Sequence, residues 1–162
     1  MSGLLGVSPN LRTGKLGAAG HHSVLNFYNV VTTASATQVN SNSPVKIKEI
    51  AVVPVSSSSK FWILAWASLD VDGGSTGLAN IFLKQNGSNI YSSGTFINSE
   101  GEHSSTNRQL GLSVWAVHSP GSTSSITYEL WYGRTSSSTD YVDHYSSGTD
   151  HRGTLTILEF AG

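Results

Sequence analysis

Six histidines, at positions 21, 22, 103, 118, 144 and 151, and ten acidic residues are the groups through which this chain could do chemistry. Nucleophilic catalysis needs a serine, a histidine and an acid brought together. With 28 serines in the chain any such pairing is cheap, and no Gly-x-Ser-x-Gly elbow is present. Asp140, Asp143, His144, Asp150 and His151 crowd together and could offer oxygen and imidazole ligands. They match no recognised ligand spacing, and His-Glu-x-x-His is absent, so the segment reads better as a polar loop with Asp turns. Glu100, Glu102 and His103 contain a carboxylate pair of the kind glycoside hydrolysis uses. Two glutamates at i, i+2 in a Gly/Ser/Asn-rich loop read better as solvating it. Tyr141 and Tyr145 lie beside acids and small residues, and as loop aromatics they are candidates for stacking on a surface ligand such as a sugar. The expectation is therefore no catalytic residue, no metal and no cofactor.

The elements that must position these groups are strands. Charged residues make up only 12% of the 162 positions, while 28 serines, 14 threonines and 17 glycines fill the gap. That mixture disfavours helix and favours strands joined by turns. Four Trp, six Tyr and five Phe supply a packed core. The length suits one domain. Cysteine is absent, which removes disulfides, thiolate metal sites and thiol redox chemistry. The net charge is −1 with no Lys/Arg cluster, so nucleic acid is not expected as a partner. No stretch approaches a membrane span and Met1 opens no secretory leader, so membrane insertion is not expected either.

Residues 1–20 carry five glycines and a proline with neither alternation nor a helical period. Leu4, Leu5, Val7, Leu11 and Leu16, with Arg12 and Lys15, predict an extended N-terminal arm that docks on its own domain, a neighbouring subunit or a partner surface such as the shell. Residues 21–162 then read as a single β-sandwich domain. Residues 22–31 form a first strand. Val45–Val55 alternates, with Val45, Ile47, Glu49, Ala51, Val53 and Val55 on one face and Lys46, Lys48, Ile50, Val52 and Pro54 on the other. Ser56–Ser59 makes a turn, and Lys60–Val71 is the most apolar strand. Leu78–Gln85 and Ser88–Phe96 flank Asn86-Gly87, a strong hairpin signal. Leu110–His118, Ser125–Arg134, Tyr141–Tyr145 and Gly153–Phe160 complete the set. Trp62, Trp66, Trp115 and Trp131 sit in strands, as core or subunit interface. The class is all-β, a jelly-roll-like antiparallel β-sandwich of about eight strands.

Several segments also resemble a group of bacteriophage virion proteins. They are the serine run into an apolar strand at 56–64, the Leu83–Ile90 hairpin, the Ser119-Pro120 turn leading to Thr127-Tyr128, the Leu155–Phe160 strand, and the opening Gly6–Gly14. The resemblance implies a trimeric β-domain on the virion surface, made in the host cytoplasm, either a capsid decoration (cement) protein or a tail-fibre tip. It implies no enzymatic residue. A compact head with a short arm, and no shaft of heptads or repeats, fits decoration better. The expected partners are the chain itself, as a homotrimer, and the major capsid protein or another virion protein held by the arm. A lectin-like tail-fibre tip that binds a host-surface glycan is the alternative.

Overall fold

The computed structural model describes residues 24–31, 37–39, 43–72, 77–92, 95–96, 98–103, 108–134, 139–142, 145–146, 149–150 and 153–162. The arm residues Leu4, Leu5, Val7, Leu11, Arg12, Lys15 and Leu16 lie outside them. The described residues contain strands and turns and no helix. In chain order the strands are β1 (Val24–Val31), β2 (Thr37–Val39), β3 (Val45–Val52), β4 (Lys60–Asp72), β5 (Gly77–Gln85), β6 (Ser88–Asn89), β7 (Tyr91–Ser92) and β8 (Thr95–Phe96). They continue with β9 (Asn98–His103), β10 (Arg108–His118), β11 (Ile126–Arg134), β12 (Thr139–Val142), β13 (Tyr145–Ser146), β14 (Thr149–Asp150) and β15 (Thr154–Phe160).

All the pairings are antiparallel. In the first sheet β10 lies along one side of β4 from Phe61 to Val71. The other side of β4 takes β15 along Lys60–Trp66 and β12 along Leu69–Asp72. β15 in turn pairs with β1, and β12 with β2. β12 and β15 are thus one strand position interrupted at 143–153, and β1 and β2 another. Six segments make a four-position sheet in the order β1/β2, β15/β12, β4, β10. The second sheet is built alike, as β3, β11, β5 and the interrupted pair β9/β6. Apart from the β5–β6 hairpin, successive strand positions alternate between the sheets. That connectivity is a jelly roll of two four-stranded sheets.

The core lies between the sheets. β4 contributes Phe61, Ile63, Ala65 and Ala67, β10 Leu112, Val114 and Ala116, and β15 Leu155 and Ile157. Ala79, Ile81 and Leu83 of β5 and Ile126, Tyr128, Leu130 and Tyr132 of β11 face them. The period of two along each strand places these residues on one side. The Phe61 and Tyr128 rings meet with centroids 5.6 Å apart.

Three expectations need correction. The alternation in Val45–Val55 is broken, because Lys48 pairs with Leu130 and Lys46 with Trp131, leaving Ile47 as a bulge. Lys48 therefore points inward with Ile50 and Val52, and the strand stops at Val52. Ser88–Phe96 is not one strand: it breaks after Asn89, and Tyr91–Ser92 pairs with Thr95–Phe96 as a separate small hairpin. Glu100 and Glu102 stand in β9, hydrogen-bonded along β5, and not in a loop.

Candidate functional site

The two outer faces of the sandwich differ in chemistry. On the second sheet the outward positions carry Lys46, Glu49, Lys84, Glu129 and Trp131, and they satisfy one another. Lys46 Nζ lies 2.6 Å from Glu49 Oε2 and 3.8 Å from Glu129 Oε1, and its pKa is raised chiefly by the hydrogen bond to Glu49. The Trp131 indole N–H donates to Glu129 Oε2 at 2.8 Å. The Lys84 ammonium caps the Trp131 ring at 4.0 Å from its centroid. This face is charged and internally paired.

The outer face of the first sheet is apolar. Register aligns its outward residues in rows across β1, β15, β4 and β10. One row is Phe27, Leu158, Trp62 and Val117, the next is Asn29, Thr156, Leu64 and Trp115, and the third is Val31, Thr154, Trp66 and Ser113. Trp115 is 65% exposed, Phe27 63%, Trp62 39% and Trp66 36%. The three rows carry no charged residue; Lys60 stands beside them at one end of β4, and Asp70 and Asp72 belong to its other end. The Trp66 indole reaches Gly111, where a Cβ would stand 3.3 Å from its Nε1, so glycine there leaves room for the ring beside β10.

Two hollows interrupt the face. Lys60, Trp62, Val117 and Phe160 line one of about 280 Å³. Trp66 and Trp115 wall the other, of about 350 Å³, with Leu64, Ser113, Thr154 and Thr156 around it. Such a surface can hold an apolar side chain or the face of a ring.

A buried polar group frames one end of the sandwich. Glu159 is inaccessible to solvent. Its carboxylate accepts hydrogen bonds from Asn26 Nδ2 and from the Val55 backbone N–H, both at 2.7 Å. It thereby ties β15 to β1 and to the loop before β4. Tyr128 also lies within its electrostatic reach. Burial, and then the Glu159 charge, hold the Tyr128 hydroxyl well above its usual pKa. The hydroxyl shares a hydrogen bond with His118 Nδ1 at 2.8 Å, and burial lowers the His118 pKa.

Of the residues singled out in the sequence, Tyr141 has its backbone in β12, paired with Asp70 and Gln38, and Tyr145 begins β13. Their side chains lie outside the described residues. Asp140 and Asp150 have described backbones in β12 and β14, while Asp143, His144 and His151 lie outside. Among the described residues no group of three or more metal-ligating side chains occurs. The outer tryptophans were legible as strand residues of core or interface. Their common exposure on one face came only from the register. A signal was present, since Phe61–Ala67 is apolar at both odd and even positions, the mark of a strand that needs cover on both faces.

No family model matches the chain, and no curated protein matches it. Among solved structures the chain is similar to one titled "Structure of infectious bursal disease virus Gx strain", at 12% identity and a TM-score of 0.42. The match covers 84% of this chain and 39% of the other, so the chain spans about two fifths of that protein. At that TM-score the likeness carries no argument; the jelly-roll assignment rests on the strand connectivity.

Proposed function

We propose that the protein is a structural component of a bacteriophage virion, most specifically a homotrimeric capsid decoration protein, whose arm grips the shell while the jelly roll stands outward. The observation that carries this reading is the apolar outer face of the first sheet, a surface suited to assembly on a fold that jelly-roll capsid domains share. The virion-protein resemblance in the serine run, hairpins and Leu155–Phe160 strand supports the same reading. Its role is then structural, its location the virion surface, and its partners other copies of itself and the major capsid protein.

The arm is the anchor in this reading. Leu4, Leu5, Val7, Leu11 and Leu16 supply apolar contacts, and Arg12 and Lys15 meet acidic groups of the shell protein. Extended segments gain affinity by ordering against a partner. Deleting residues 2–16 is expected to leave the thermal transition of the β-domain in place and to abolish incorporation into particles. Full-occupancy decoration by the truncated protein would remove the arm from this role.

One observation favours a second reading, a lectin-like tail-fibre tip. The hollow between Trp66 and Trp115 is edged by the hydroxyl residues Ser113, Thr154 and Thr156, the kind of aromatic and polar lining that sugars use. Copy number separates the two readings. A quantitative gel of purified virions shows many copies per particle for decoration and only a few for a tail tip.

A further inference from the structure

We infer that a second copy of this chain packs over the outer face of the first sheet, with the Trp115 indole of one copy seated in a hollow of the other. The inference rests on the self-assembly reading above and deepens it by naming the surface.

The face has the extent and chemistry of a contact between copies. Four strand positions at ~4.8 Å and about seven residues at ~3.3 Å give a footprint on the order of 400 Å², before side-chain relief is counted. That approaches the ~500 Å² per partner of a small specific interface. Contacts between identical chains are more apolar than transient ones and are depleted of charge at their centre. Here the three rows carry no charge, and Lys60 stands at their margin.

The relief is self-complementary. Trp115, Phe27 and Val117 project, each more than half exposed. Hollows of about 280 and 350 Å³ lie beside Val117 and Trp115 on the same surface. A surface that bears both knobs and holes can engage another copy of itself.

Other occupants fit less well. The second sheet's outer face would have to bury the Lys46–Glu129 ion pair under an apolar partner, and desolvating such a pair is costly. The chain's own residues 1–20 hold Arg12 and Lys15 and no acid. Within the three rows no carboxylate stands to receive those cations, and Lys60 at their margin repels them. A like face brings neither problem.

The test is light scattering and sedimentation of the full chain against three variants. Trp115→Glu and Phe27→Glu each place a charge on the face, and Ala51→Glu places one on the opposite, already charged face. The wild type is expected to be assembled, with self-association roughly a hundredfold weaker in the first two variants and unchanged in the third. All should keep the wild-type circular dichroism, because these side chains lie outside the core. Should Trp115→Glu fail to fold, Trp115→Ser removes the ring without adding charge and reads the same loss. A mass of two chains that Trp115→Glu halves supports the inference and removes the threefold reading. An assembly indifferent to both face variants overturns the inference and leaves self-assembly standing. A wild type that stays monomeric at every concentration overturns both.

Discussion

Glu159 shows how one residue can join distant parts of the chain. Its partners Asn26 and Val55 are 133 and 104 residues away in sequence, and both donate to a carboxylate with no access to water. Removing the acceptor would take a charge-assisted bond from the Asn26 side-chain amide and another from the Val55 N–H, both partly shielded from water. Glu159→Ala is expected to lower unfolding stability by about 3 kcal/mol, read as a shifted urea midpoint. Glu159→Gln keeps one accepting oxygen and should lose less. If the alanine variant matched wild type, the carboxylate would not be the tie between β1, β15 and the loop before β4.

At the level of elements, turn chemistry and register share the work. Asn86 and Gly87 have φ of 48° and 80°, the left-handed conformations that a two-residue hairpin turn requires. Asn86 also accepts a hydrogen bond from the Thr127 N–H through Oδ1 at 2.8 Å, and its own N–H donates to the Thr127 carbonyl at 2.9 Å. The turn is thereby held against the start of β11. A Cβ at Gly87 meets nothing within 4 Å, so only the backbone conformation opposes a side chain there. Gly87→Ala should therefore cost about 1 kcal/mol, measured by thermal or urea unfolding, with the fold retained. The bulge at Ile47 acts in the opposite sense, since it has no turn residue to announce it. It reverses which residues of β3 face inward and turns a lysine toward the core side.

For the whole molecule, that inward lysine and His118 make stability depend on pH. Burial lowers the Lys48 pKa from 10.5 to about 8 and lowers that of His118 below 6.5. In each case the unfolded chain holds its proton to higher pH than the folded one, so stability rises with pH through the interval between the two values. One rise ends near pH 6.5 and belongs to His118. The other runs from about pH 8 toward 10.5 and belongs to Lys48. Tyr128, whose pKa is raised, acts with opposite sign: above about pH 10 the unfolded chain ionises first and stability falls. Melting temperature against pH should show both rises. His118→Gln should flatten the first alone and Lys48→Met the second alone. The larger asymmetry of the molecule lies between its outer faces: the second sheet's is charged and paired, and the three rows of the first carry no charge.

The sequence by itself determined the class of structure. The continuous apolar run in Lys60–Val71, period-two alternation in Leu110–His118 and Ser125–Arg134, the Asn86-Gly87 turn and the serine turn at 56–59 are local signals, and each reappears within a residue or two of its expected place. Alternation sorts side chains into two sets, but it does not say which set faces the core. Only the pairing of β4 with β10 and β15 put Phe61 and Ile63 inside and left Trp62, Trp66 and Trp115 on the outer face. Tertiary structure alone also merged β12 with β15 and β6 with β9 into single strand positions, turned Lys48 inward, and brought Glu159 to Asn26 and Val55. The physical reason is common to all of these. They depend on hydrogen bonds and packing between residues far apart in the chain, to which local periodicity is blind.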